Sequence, residues 1–383
     1  MKKRYRLITI ILVILITIIS NNENASIGID NYYFVIGIGL DKGEMGSINL
    51  SVQIPSSTAG GKSDSSGSSQ SGNYEIYTVE GNTINECITI LNSYLNKQIN
   101  LSHCAAIVIS EELAKEGIRP YFYTLNNNNE LRHSSTVIIS STRAYDVLNN
   151  ISKSGKVFSS RLYDYLKVSS NYTAYTINSN LGTFFGAINN SNRQISSIYT
   201  IQTEGNVIQP GGIAVFKDAK MVGTLSPIYS ICHSIVTNTL NTTILSIDNP
   251  FNNIEKIDLD INLYKNTNTK IDLINGTPYI SINIYPEGII KSSGENFDYS
   301  NQKNIKAVEN EVNSYLEKCT KEYLYKITKE YKSDIVGFKG ICKSKYLTEE
   351  DFNKIHFDEI FPDSFYNVSI NTKISSSHLF NKE

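Results

Sequence analysis

The stretch "KIDLDINLYKNTNTKIDLINGTPYISINIYPEG" (Lys256 to Gly288) decides the fold of the C-terminal half. Apolar and polar residues alternate along it over three successive segments. A strand sends successive side chains to opposite faces, so this pattern predicts strands buried on one side and wet on the other. Turns are expected at Asn266 to Thr269 and at Asn275-Gly276, which describes an antiparallel meander. From Ser300 the period changes. Ile305, Val308, Val312, Tyr315, Leu316, Cys319, Tyr323, Ile327 and Tyr331 mark one face of a helix some thirty residues long. Its three- and four-residue steps fit either a coiled coil or a layer across the meander. The second is the expectation here, because the sheet needs a cover. A last strand, "FYNVSINTKIS", alternates Tyr366, Val368, Ile370 and Thr372, and "GGIAVFKDAKMVGTLSP" reads as a hairpin with Lys217-Asp218-Ala219-Lys220 at its tip.

Toward the N-terminus the texture differs. "YYFVIGIGLDKGEMGSINLSVQI" predicts two strands around a turn at Asp41-Lys42-Gly43. Ser56 to Asn73 has no apolar residue larger than Ala59 and is expected to be a flexible loop. Thr83 with Glu86 forms a capping-box pattern before a helix whose apolar face is Ile84, Cys87, Ile88, Leu91 and Leu95. "CAAIVIS" predicts a buried strand, with Ser110 opening the short helix "EELAKEG". "STVIIS" and "TRAYDVLNN" repeat the strand–helix step, and "SRLYDYLKVSS" and "NLGTFFGAINN" read as two more helices. The expected fold is thus mixed α/β to α+β, with several domains. A leader (1–26) precedes an α/β region (27–204, with the Gly/Ser loop at 56–73, as one unit or two subdomains) and an α+β domain (205–383).

Composition bounds function loosely. The 383 residues are 40% hydrophobic and 19% charged, and the formal net charge is −2, so nothing calls for nucleic acid or another polyanion. Trp is absent while Tyr numbers 25, and Tyr supplies comparable amphipathic area. The five cysteines sit within apolar stretches and read mostly as buried small hydrophobes. A Cys319–Cys342 bridge is compatible with export, but connectivity does not follow from spacing. The histidines at 103, 133, 233, 356 and 378 stand alone, with no metal-binding spacing, so no metal and no cofactor is expected. "SHC" (Ser102 to Cys104) groups three nucleophile-type residues, yet on a strand neighbours face opposite ways and cannot form a relay. "GIGLDKG" imitates a dinucleotide fingerprint but leads into a turn and strand rather than a helix. Glu111 and Glu112 suit a helix N-terminus, and Asp258 and Asp260 a solvated strand face. No catalytic residues emerge.

The chain opens "MKKRYR" and continues with an apolar run, Leu7 to Ile19, before Ser, Asn and Glu. As a helix that run would rise roughly 20 Å, short of the ~30 Å hydrocarbon core. It reads either as an export signal or as a short anchor accommodated by bilayer thinning. Small residues are poorly placed for cleavage, which favours retention. No Cys follows the run to accept a lipid.

In order along the chain, "GIGLDKG…INLSVQIP", the Gly/Ser-rich insertion, "YTVEGNTINECI", "LSHCAAIVISEELAKEGI…NELRHSSTVIIS", "GGIAVFKDAKMVGTL" and "YKSDIVGF…FPDSFYNVSINTKI" resemble the Ger(x)C family of spore germination proteins. The likeness runs from about Tyr33 to the C-terminus. The residues that carry it are Gly37, Gly39, Asp41, Ser102, His103, Glu111, Glu130, Arg132, Gly212, Phe216, Gly223, Asp334 and Gly337, all expected to be structural. Two features depart from the family pattern. The usual lipobox Cys is missing near Ile29-Asp30, and Thr224-Leu225 and His356-Phe357 stand where a different aromatic pattern is common. The resemblance implies a non-enzymatic protein on the outer face of the inner spore membrane. It would act in the assembly or signalling of a nutrient germinant receptor, alongside a multi-spanning transporter-like subunit and a second large membrane subunit. The alternatives are an extracytoplasmic solute-binding protein that captures a small nutrient itself and, further off, a secreted hydrolase acting on cortex.

Overall fold

A computed structural model describes residues 28–55, 74–150, 172–189, 192–203, 207–293 and 301–375. The leader, the Gly/Ser-rich stretch 56–73 and the helix expected over 160–170 lie outside the described residues.

The stretch read as one opening strand divides into β1 (Tyr32–Phe34) and β2 (Gly37–Lys42). Val35 N–H donates to Asn100 and Ile36 N–H to Gln53, so the chain changes partners at this point. The turn after β2 comes later than expected, as a 3-10 turn at Glu44–Gly46, because Lys42 still pairs with Ile48 of β3 (Ile48–Pro55). β4 (Tyr74–Gly81) and α1 (Ile84–Tyr94) follow. Thr83 Oγ1 accepts the Glu86 N–H, while the Glu86 carboxylate takes the N–H of Asn82, one residue before the cap. β5 (Gln98–Asn100) pairs in parallel with β1. Then come β6 (Ala106–Ser110), α2 (Glu111–Glu116), α3 (Arg119–Asn126), β7 (Thr136–Ser140), α4 (Ala144–Asn149), α5 (Leu181–Asn189), β8 (Ser196–Thr203), β9 (Val207–Lys217) and β10 (Lys220–Leu225).

Eight of these strands form one sheet in the order β10-β9-β8-β7-β6-β2-β3-β4. The central four, β8, β7, β6 and β2, are parallel, and an antiparallel pair flanks them on each side. Consecutive residues in the centre enter opposite cores. Ala106, Val108 and Ile138 join one cluster, and Ile107, Ile109, Val137 and Ile139 the other. This is why "AIVIS" and "TVIIS" read as unbroken apolar runs: both faces are covered. The position expected to divide the chain, 204/205, falls between β8 and β9, which are hydrogen-bonded neighbours in this sheet. Asp218 and Ala219, both at positive φ, turn the expected hairpin between β9 and β10.

Next comes α6 (Pro227–Val236), which the sequence pattern did not announce, with Ser230 through Val236 all buried. It packs on β9 and on the second sheet. That sheet contains β11 (Thr243–Asn249), β12 (Asn252–Ile274), β13 (Thr277–Ser292), β14 (Phe365–Ile370) and β15 (Lys373–Ser375). The order is β11-β12-β13-β14, with β15 also on β13. The meander exists, but its strands are drawn differently from the expectation. The turn expected at Asn266 to Thr269 is a bulge inside a 23-residue strand, with register shifts between Leu263 and Asn268. Thr267 is held there by the end of α6: its N–H donates to Asn238 Oδ1 (2.6 Å) and its hydroxyl to the Ile235 carbonyl (2.8 Å). The third antiparallel strand is β11.

The long helix is α7 (Gln302–Tyr325), which continues as a π-helical turn over Lys326–Glu330. It crosses from β13 to β14, which run parallel, so the sheet receives its cover by way of a crossover. Val308, Val312, Leu316, Cys319 and Tyr323 are buried as the spacing predicts, and the coiled-coil alternative falls away. Three short helices, α8 (Phe338–Lys343), α9 (Glu349–Asn353) and α10 (Phe357–Ile360), lead back to β14. All five cysteines are free and buried, so Cys319 and Cys342 pack as small apolar groups without a bridge.

Candidate functional site

The thirteen residues singled out in the sequence fall into three places. Five line a seam between the β9–β10 hairpin and the segment after α7. Gly212 has φ +109, and a Cβ there would stand 1.9 Å from the Leu225 carbonyl oxygen. At Gly223 a Cβ would meet the Tyr331 ring at 2.3 Å, and the Tyr331 hydroxyl donates to the Thr224 carbonyl (2.7 Å). Phe216 is buried, and its carbonyl accepts the Ser333 hydroxyl (2.5 Å). The next residue, Asp334, folds its own loop: its carboxylate accepts the N–H groups of Gly337 (2.8 Å), Phe338 (3.0 Å) and Lys339 (2.7 Å). Gly337 supplies the left-handed turn this needs, at φ +94. Burial pushes the Asp334 carboxyl up to about 6, against three donors that favour its charge. A cavity of about 510 Å³ beside it is lined by Asn192, Arg193, Lys217, Asp218, Lys339 and Asp358.

A second group sits where β2, β6 and β7 end. Asp41 accepts the Ala144 N–H (2.6 Å) and the Tyr145 N–H (3.0 Å), so it caps α4 across a separation of 103 residues. Gly39 lets that helix approach, because a Cβ would lie 3.0 Å from Leu148 Cδ1 and 3.2 Å from Ala144 Cβ. Gly37 stands apart from this group, at the start of β2, where it pairs with both Gln53 and Ala106; Gln53 Nε2 donates to the Leu148 carbonyl (2.6 Å). Glu111 accepts the Tyr199 hydroxyl and pairs with Lys115, both at 2.5 Å. A cavity of about 640 Å³ opens here between Asp41, Lys42, Ser110, Glu111, Thr142 and Arg143. It lies outside the carboxyl ends of parallel strands, where open α/β sheets take ligands. Its charged groups already have partners: Lys42 bridges Glu112 (3.2 Å) and Glu116 (2.6 Å), and Arg143 holds Asp146 (2.9 Å).

The third group occupies the opposite edge of the sheet. Ser102, His103 and Cys104 lie in a turn before β6, not on the strand. The argument from alternating faces therefore does not apply to them. Ser102 Oγ donates to Asn100 Oδ1 (2.5 Å) and lies 3.1 Å from His103 Nδ1. Cys104 turns into the core and donates to the Ala106 carbonyl (3.3 Å), its thiol pushed up to about 12 by burial. Glu130 accepts the Leu101 N–H (2.7 Å), tying this turn to the loop before β7. Arg132 is exposed, and its carbonyl accepts the Ser135 N–H (2.9 Å). Asp258 and Asp260, expected to be merely solvated, accept strand-bridging hydroxyls from Ser246 and Thr242 respectively.

One buried pair escaped the sequence reading. His233 Nδ1 lies 2.8 Å from the Tyr323 hydroxyl at the contact of α6 with α7. Burial, with Arg193 adding to it, pushes the imidazole down to about 4 and keeps it neutral. Ser230 Oγ and Thr320 Oγ1 are buried without a hydrogen-bond partner among the described residues. No group of three His, Cys, Asp or Glu among the described residues is placed to hold a metal.

The motif residues thus cap helices, admit close packing and tie loops. Residues 26–201 match the model of the spore germination protein N-terminal domain, and residues 211–378 that of the spore germination B3/GerAC-like C-terminal region. The chain belongs to the Ger(x)C family. Spore germination protein KC of Bacillus subtilis (strain 168) is 25% identical to it, over 91% of this chain and 90% of that one. Spore germination protein GerQC of Bacillus cereus is 22% identical over 64% of this chain and 68% of its own. The crystal structure of the GerBC protein superposes with a TM-score of 0.55 at 20% identity, covering 88% of this chain and 96% of that chain, so the fold is shared. Ger(x)C proteins are components of multi-subunit germinant receptors, and the general role of this chain lies in spore germination.

Proposed function

We propose that the chain is a non-catalytic component of a nutrient germinant receptor, needed for its assembly or signalling. Its N-terminal segment would hold it at the outer face of the inner spore membrane. Its neighbours would be a multi-spanning transporter-like subunit and a second large membrane subunit. The observation that carries this reading is the use of the family's motif residues as joints in one packed body, in a chain that matches the family over both halves. Confinement at a membrane raises the effective concentration of a folded body near integral partners, so a modest interface suffices for assembly. Replacing the Leu7 to Ile19 segment with an efficiently cleaved signal is expected to slow nutrient-triggered germination strongly. Germination at the normal rate with the chain released from the membrane would refute tethering.

The cavity at the carboxyl ends of β2, β6 and β7 favours a second reading, direct capture of a small nutrient. Calorimetric titration of the detergent-purified chain with germinant amino acids separates the two. Under the first reading no binding heat is expected, and saturable heat abolished by Arg143→Ala would favour the second.

A further inference from the structure

We propose that the edge of the eight-stranded sheet from which β2, β6, β7 and β8 start, bearing Tyr32, Tyr33, Phe34, Tyr94 and Tyr123, lies against the lipid headgroups. This rests on the anchored reading above and adds the face that meets the bilayer. The first argument is reach. Residues 20–27 separate the apolar run from Gly28, and eight residues span at most about 29 Å. β1 begins four residues after Gly28 and is hydrogen-bonded to β5 at this edge, so the tether delivers this end of the molecule to the membrane first.

The second argument is chemical. Tyrosine suits the boundary between headgroups and hydrocarbon, because its ring is apolar and its hydroxyl stays wet. Tyr94 is 54% exposed and Tyr123 40% exposed, so both rings have surface to give to the interface. The Tyr33 hydroxyl donates to Asn96 Oδ1 (2.7 Å), with the Lys97 ammonium 5.5 Å from its ring centre. Phe34 stands edge-on to His103 with centroids 4.7 Å apart. Among the carboxylates at this edge, Glu130 is turned in toward the Leu101 N–H and Glu75 is taken by the Tyr77 hydroxyl, while Asp30 and, at the tip of the β9–β10 hairpin, Asp218 are exposed. The opposite edge presents Glu44, Glu80, Glu112 and Glu116, and its cations Lys42, Lys115 and Arg143 are each already paired with a carboxylate, a poor surface for anionic headgroups.

The chain has no Trp, so a single introduced Trp reports its own surroundings without background. The test uses the full chain in vesicles of phosphatidylcholine and phosphatidylglycerol, with and without brominated phosphatidylcholine as quencher. Tyr94→Trp and Tyr123→Trp are each expected to lose most of their emission to the brominated lipid. Met45→Trp, at a fully exposed position on the opposite edge, is expected to keep it. Equal quenching at Met45→Trp, or none at Tyr94→Trp and Tyr123→Trp in a chain that floats with the vesicles, would overturn the proposal and leave this edge for a protein neighbour. A chain that does not float would overturn the anchored reading itself. Two reporters on separate helices guard against one variant failing to fold.

Discussion

The two sheets of this molecule bury their apolar residues in opposite styles. In the eight-stranded sheet the central strands are covered on both faces, so Ile138 and Ile139, adjacent in sequence, are both fully buried. In the five-stranded sheet only one face is covered, so Ile282 is buried while Asn283 beside it is half-buried on the open face. The lesson is that the number of covering layers sets the sequence period: two layers erase the alternation and one enforces it. α6 and the seam at Asp334 fasten one style of sheet to the other, and the motif residues of the C-terminal half gather at that seam.

The strongest way to break this arrangement is to deny the seam its space. Gly212→Val would drive a Cβ into the Leu225 carbonyl at a backbone conformation that L side chains avoid. It is expected to cost more than about 4 kcal/mol and to leave little folded protein, read by thermal melting of purified chain. Paired substitutions then sharpen the contrast between the sheets. Ile138→Ala and Ile139→Ala should each cost about 2–4 kcal/mol in urea denaturation. Ile282→Ala should cost as much, but Asn283→Ala only about 0.5 kcal/mol. Similar losses at Asn283 and Ile282 would show that the open face is covered after all.

Two buried groups where the halves meet carry opposite pH signatures. The imidazole of His233 is pushed down to about 4 by burial, so the unfolded chain binds the proton more readily, and stability is lost as pH falls from 6.5 toward 4. His233→Gln removes that loss, so its stability relative to the parent should improve by about 2 kcal/mol between pH 7 and pH 5. Asp334 works in the reverse sense. Its carboxyl is raised by burial to about 6, so the folded chain takes up the proton first, and stability is gained as pH falls from 6 toward 4. Asp334→Asn forgoes this gain and should worsen relative to the parent by about 1 kcal/mol over the same interval. Melting temperatures at the two pH values decide both cases.

Much of this was legible in sequence, and the failures share a cause. The alternation through Ile280, Ile282 and Ile284 announced β13, and the stripe from Val308 to Tyr323 announced α7, because each buries a single face. α6 stayed hidden because "PIYSICHSIV" is buried nearly all round, which removes the helical period. The bulge in β12 was misread as a turn because its cause, Asn238 gripping Thr267, comes from an element 29 residues upstream. Asp41 could be named as a motif residue, but its partners at Ala144 and Tyr145 lie beyond any local pattern. The cavity at the carboxyl ends was likewise invisible, since Lys42, Ser110 and Arg143 meet only when the parallel strands are side by side. Sequence periodicity reports faces; it does not report which distant chain arrives at them.

The central claim is that this folded body works while bound to integral receptor subunits at the membrane. Its most direct test is affinity isolation of the tagged transporter-like subunit from detergent-solubilised spore membranes, with this chain measured in the eluate. Recovery at a fixed ratio, abolished when residues 7–19 are exchanged for a cleaved signal, is the predicted result. A chain absent from the eluate, in spores that nonetheless require it for germination, would contradict the account.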